Sequence, residues 1–382
     1  MQSEDRFLTD NHRVVDTSER RRNALGRLVA HENSASDLLA LLFEMDPEPL
    51  LGVLGLDTGT YTCQREVQAG AGKGRLDLVL RRQPESRPVA VLEMKGASDV
   101  HGDQLDRYNA WADGFTPTPR RFYCSLDIEL SAPEAPWQAL SLIEVFGTWK
   151  TSRDPHAVWL AGEIADVLRT WDAEADDVMG KVTGWYVPDL VSRRTASAVD
   201  VQLRAFGDGS MAGAYRTSGG NPMFMAWRRH PHGSDDAWVA VDVRCEGRGA
   251  ASRWLVRPCV DVVGNGQSAL LEAHDLAVQL QPAMVLSAVR MALIDQGRGR
   301  LAAALSAEEN DGLAHRPAPE ILAAWRARLA AGEKPRRRHP VFFHDRGLRL
   351  ATQLRADATE LTRDDLAQLT VGVLDHLVER AR

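Results

Sequence analysis

A chain of 382 residues exceeds what one ordinary hydrophobic core organises, so two domains are expected. Its 44% hydrophobic and 26% charged residues are the composition of a globular protein, and no apolar run reaches the length of a bilayer-spanning helix, which excludes a helical membrane protein. The net charge of −7 disfavours indiscriminate coating of nucleic acid, so any phosphate contact has to come from a local patch. The polar, acidic start MQSEDRFLTDNHRVVD has neither the basic nor the apolar region of a signal peptide, and a cytoplasmic protein is expected. Cys63, Cys124, Cys245 and Cys259 are scattered with no CxxC pairing, against both a disulfide framework and a structural zinc site.

Residues 1–30 read as a charged arm running into a helix. From Ser36, DLLALLFEMD carries apolar residues at helical spacing behind a Ser-Ala-Ser-Asp start suited to an N-cap, and Pro47 and Pro49 end it. Residues 60–67 alternate and are rich in strand formers, 68–74 are a glycine-bearing hairpin turn, and 75–81 and 88–94 read as strands. A helix is predicted over 103–114, strands over 121–130 and 142–146, and a helix over 155–171. This is an α/β layer pattern. Acidic and then glycine-bearing composition at 172–184 predicts a boundary between a first domain, 1–175, and a second, 180–382. In the second, 199–206, 223–228, 238–244 and 254–263 read as strands between glycine-rich turns such as GDGSMAGA. Helices follow over HDLAVQLQPAMVLSAVRMALIDQ, PEILAAWRARLAAG and RDDLAQLTVGVLDHLVERAR, so an antiparallel sheet followed by helices, an α+β domain, is expected. Trp227, Trp238 and Trp254 are assigned to its core. Arg336, Arg337 and Arg338 form the densest basic run and are the candidate contacts to a nucleic-acid backbone, with a solvated loop as the alternative.

Chemistry concentrates between residues 74 and 111. Asp77 stands mid-strand in RLDLVL, where the two-residue period puts it on a face with Arg75 and Val79. Glu93 and Lys95, two apart in VAVLEMKG, share a face of the next strand. If those strands are neighbours, Asp77 and Glu93 converge beside Lys95. Two hard oxygen donors suit Mg2+ or Mn2+, and a lysine there can stabilise charge on a phosphate or position a water. Gln104 and Tyr108 stand four apart on the helix that follows, on one face. Each has a plainer reading: Asp77 paired structurally with Arg75 or Arg81, Glu93 and Lys95 on a solvated face, Gln104 and Tyr108 as helix surface, Glu66 as a solvent-facing strand residue, Glu32 as an acid favoured by a helix N-terminus, His101 as a loop residue.

The series Asp77, Glu93-Met94-Lys95, Gln104 and Tyr108 resembles the PD-(D/E)XK nuclease superfamily, in the bacterial branch whose helix after the core motif carries a Gln and a Tyr. The resemblance covers residues 30–150, with Leu76 where the pattern often has proline. It implies a restriction-endonuclease-like core, a mixed sheet flanked by helices, followed here by the α+β domain. It also implies Mg2+ or Mn2+ held by Asp77 and Glu93, with Met94 between Glu93 and Lys95 counted in the metal-holding set, and Lys95 assisting the water. Glu66 or Glu32 would be a further upstream ligand, and Gln104 and Tyr108 the supporting residues. The function so implied is metal-dependent hydrolysis of phosphodiester bonds in DNA, in restriction, repair or anti-phage defence, by a homodimer or with a partner protein. RNA or branched DNA is the second candidate substrate, and a non-catalytic nucleic-acid-binding or interaction protein on the same fold is the alternative from another class.

Overall fold

In the computed structural model, residues 24–69, 74–95, 104–127, 135–182, 186–207, 209–247, 253–264, 266–308, 319–333, 343–344 and 348–382 are described. The chain divides into two compact units between Arg169 and Thr170, a little before the composition shift at 172–184. The whole is mixed α/β, with one mixed and one antiparallel sheet.

In the first unit, helix α1 (Glu32–Met45) and the short α2 (Glu48–Val53) precede strands β1 (Tyr61–Gln68), β2 (Arg75–Arg82) and β3 (Arg87–Lys95). Helix α3 (Gln104–Asp113), β4 (Arg120–Ser125), β5 (Trp137–Ser141), α4 (Leu142–Gly147) and α5 (Pro155–Asp176) follow, the last crossing the unit boundary. The five strands lie in sequence order; β1, β2 and β3 are an antiparallel meander, and β4 and β5 join parallel. Leu76, Leu78, Val79 and Leu80 are all buried, so β2 is covered on both faces and its simple alternation does not hold. On one face Tyr108, Leu105 and Trp111 of α3 pack against Val79, Val91, Tyr123 and Trp137, and α1 packs against β1, β2 and β3.

Several boundaries differ from those expected. Helix α1 begins at Glu32, behind His31, whose side chain caps nothing, so Ser34 and Ser36 lie inside the helix; the Ser36 hydroxyl donates to the Asn33 carbonyl instead. Pro47 and Pro49 do not merely stop that helix, because Pro47 caps the start of α2. Residues 142–146, read as a strand, are helix α4: Leu142, Val145 and Phe146 are buried at i, i+3, i+4, and the strand is the stretch just before them. Strand β4 also stops at Ser125, short of the predicted end.

The second unit has helix α6 (Val187–Leu203), strands β6 (Ser210–Arg216), β7 (Pro222–Arg229), β8 (Ala237–Glu246) and β9 (Arg253–Val262), and helices α7 (Gln267–Met284), α8 (Leu286–Asp295) and α9 (Gly299–Ala304). After these come β10 (Leu305–Ala307), α10 (Pro319–Ala330), β11 (Phe343–His344), β12 (Leu348–Ala351), β13 (Leu354–Ala356) and α11 (Arg363–Ala381). Its eight-stranded sheet is antiparallel in every described pairing. Residues 199–206 are not a strand but the end of α6 and a 3-10 turn, since Thr195, Val199 and Leu203 are buried four apart. The GDGSMAGA stretch, read as a turn, contributes the sheet-terminal strand β6, whose small, partly exposed side chains hide it. Late strands β10 to β13 close onto β9 between helices, so the sheet is not complete before the helices begin. Trp254 is buried in this unit, whereas Trp227 and Trp238 are only partly so. Among the described residues no single helix is long and apolar enough to cross a membrane.

Candidate active site

Antiparallel pairing of β2 and β3 matches Leu78 with Leu92 and Val79 with Val91, which brings Asp77 and Glu93 to the next position along the ladder. Both carboxylates are buried, and so is Lys95. Asp77 takes neither Arg75 nor Arg81 as a partner. Its Oδ2 accepts the Met94 backbone N–H at 2.7 Å, while Arg81 donates to Gln64 Oε1 and the Ser86 carbonyl. Lys95 Nζ lies 2.9 Å from Glu93 Oε1 and 3.4 Å from Glu32 Oε2, so the first turn of α1 reaches the ends of the strands.

Helix α3 supplies the other side. Gln104 Nε2 lies 2.9 Å from both Glu93 Oε1 and the Tyr108 hydroxyl oxygen, and the Tyr108 hydroxyl donates to the Arg75 carbonyl. The four-residue spacing thus yields a chain of contacts from β3 through one helix face back to β2. Gly74, just before β2, permits this approach: a Cβ there would stand 3.1 Å from Tyr108 Cε1 and 3.4 Å from Arg107 Nε.

Burial raises the Asp77 carboxyl from 3.8 to about 6, with the Met94 N–H and Lys95 opposing it and Glu32 and Glu66 adding to it. Glu93 is raised further, from 4.5 to about 8, by burial and then by the Asp77 carboxylate. For Lys95 burial favours the neutral amine, but Glu93 and Glu32 outweigh it and raise its pKa, so the ammonium persists at neutral pH. Glu93 Oε2 is buried and accepts no hydrogen bond among the described residues. A buried carboxylate oxygen with no donor, beside a second carboxylate, is a deficit of positive charge of the kind a divalent cation fills.

No family model, curated protein or solved structure matches this chain. The site therefore rests on its own geometry. Among the described residues no group of three or more His, Cys, Asp or Glu side chains could hold a metal. Asp77 and Glu93 stand as a pair, Glu32 is engaged with Lys95, and Glu66 with Arg75 at 3.3 Å. Met94 offers its backbone N–H to Asp77, and its side chain is buried. The remaining positions around a cation on this pair would fall to water and substrate oxygens, which Mg2+ commonly keeps. His101 and Arg336, Arg337 and Arg338 lie outside the described residues. In the sequence Arg75 reads only as a structural partner of Asp77, and Gly74 only as part of a hairpin turn. Their signal was adjacency, a glycine and an arginine directly before the strand that carries Asp77.

Proposed function

We propose that the first unit is a metal-dependent nuclease that hydrolyses phosphodiester bonds in DNA. The observation that carries this reading is the buried Asp77–Glu93 pair on adjoining strands, with a persistent Lys95 ammonium beside it and an unsatisfied Glu93 oxygen. Support also comes from the order of elements: a helix, an antiparallel meander, a helix and a parallel fourth strand suit the mixed-sheet core that the sequence resemblance implies.

Asp77 and Glu93 would hold Mg2+ or Mn2+, which when bound supplies Lewis acidity at a phosphate oxygen and a more acidic water. Lys95 keeps its proton, so it acts as a donor to developing negative charge and not as the base that takes a proton from water. Gln104 holds Glu93 in one rotamer, and Tyr108, anchored on the Arg75 carbonyl, holds Gln104. Burial of the group lowers the local dielectric and strengthens each of these interactions.

The test is degradation of plasmid and linear DNA, with RNA alongside, in Mg2+, Mn2+ and EDTA. Metal-dependent cutting is expected, falling roughly 10^2- to 10^3-fold in Lys95→Ala, the usual loss for one electrostatic donor. Metal binding without cutting of any nucleic acid would favour a binding or interaction protein on this fold. Absence of both cutting and metal binding overturns the nuclease reading.

A further inference from the structure

The lysine of the site is buried and out of reach of solvent. Among the described contacts, Lys95 pairs with Glu93 and Glu32 and Arg75 with Glu66, and Lys95 is 4% exposed and committed to its two partners. A polyanionic substrate approaching this place needs a cation that it can reach. Arg75 meets that need. It stands two residues before Asp77 on β2, its side chain is 69% exposed, and its backbone is fixed by the Tyr108 hydroxyl on its carbonyl.

Its ion-pair partner is Glu66, and Glu66 is held unusually. The β1–β2 pairing matches Arg65 with Leu78 and Val67 with Leu76, leaving Glu66 and Asp77 between two paired rungs. Glu66 has φ 52°, a left-handed conformation that strains a non-glycine residue. That backbone places its carboxylate 3.3 Å from the Arg75 guanidinium. A pair so exposed contributes little to stability and so exchanges readily for another anion.

We propose that Arg75 grips a backbone phosphate of the nucleic-acid substrate beside the Asp77–Glu93 centre, and that Glu66 is a positioning residue that holds Arg75 there until the phosphate displaces it. The guanidinium fork suits a phosphate bidentately, and the exchange makes and breaks no covalent bond. This rests on the nuclease reading of the same site. It also gives Glu66 a role other than that of a metal ligand.

The experiment is anisotropy of a labelled DNA duplex with the full-length protein, in Ca2+ at several salt concentrations, with metal affinity measured separately by calorimetry. Arg75→Gln is expected to weaken duplex binding about 5- to 20-fold and to lower the slope of log affinity against log salt by about one phosphate contact, with metal affinity retained. Glu66→Gln is expected to tighten duplex binding, and the double variant to match Arg75→Gln alone, because the two side chains act as one unit. Arg75→Lys should restore the salt slope but only part of the affinity. An unchanged salt slope in Arg75→Gln, in a protein that still binds metal and DNA, overturns the Arg75 assignment and leaves the nuclease reading standing. Weaker metal binding in Glu66→Gln without tighter DNA binding returns Glu66 to the metal shell and overturns its assigned role. A wild-type protein that binds neither metal nor DNA overturns both readings together.

Discussion

At Glu93 two demands compete: burial calls for a neutral acid, while Lys95 and Gln104 both donate to one of its oxygens. Asp77 and Glu93 have higher pKa values folded than unfolded, so between about pH 4 and pH 8 the native state holds more protons than the unfolded one. Stability of the metal-free protein therefore falls as pH rises through that window, by roughly 3–5 kcal/mol if Glu93 carries most of it. Chemical denaturation at a series of pH values checks this, and Glu93→Gln should flatten the curve. The same protons must leave when a cation binds, so calorimetry near pH 7 in buffers of different ionisation heat should show proton release on Mg2+ addition. Gly74→Ala tests the other side of the site. Its new Cβ presses on Tyr108, and a stability cost of about 1–2 kcal/mol with loss of cutting is expected; unchanged values would show that α3 can retreat freely. Asp77, Glu93, Lys95, Gln104 and Tyr108 could be named from sequence because charge on an apolar strand, and a two- then four-residue spacing, are local signals. The Glu66–Arg75 pair could not, since it depends on a left-handed backbone that no composition announces.

At the scale of elements, the meander β1 to β3 and helix α3 were legible because strand alternation and glycine turns sit close together in sequence. Helix α4 was not: five apolar-rich residues fit either period, and only the burial of Leu142, Val145 and Phe146 decides it. Helix α6 was obscured in the same way, since its end is rich in Val, Gln and Leu and lies next to a glycine turn. Helix α11 announces itself by chemistry. Thr362 and Asp365 form a reciprocal capping box, with the Thr362 hydroxyl and Asp365 carboxylate each accepting the other's backbone N–H. Leu366, Leu369, Val373, Leu374 and Leu377 are buried behind that cap. Thr362→Ala should cost about 1 kcal/mol in denaturant unfolding of the second unit, with Asp365→Ala adding less than its separate effect. Full additivity would mean that the box does not act as a pair.

For the whole molecule, two separately cored units predict two calorimetric unfolding transitions. If Asp77 and Glu93 hold the cation, Mg2+ should raise the transition of the first unit and leave that of the second in place, by the mass action of a ligand bound only to folded protein. A single transition that moves as one would show that the units unfold together, for which helix α5, continuous across residues 169 and 170, supplies a route. The division of the contacts falls inside helix α5, which runs on through acidic residues that look like linker in the sequence.

The left-handed backbone at Glu66 also bears on how this protein tolerates change. Asparagine adopts that conformation more easily than glutamate, so Glu66→Asn relieves strain and removes the carboxylate that occupies Arg75. If Arg75 is the phosphate contact of a nuclease, directed evolution for thermal robustness alone would thus favour a protein whose freed arginine holds nucleic acid indiscriminately. On that proposal, glutamate at this position trades robustness for restraint.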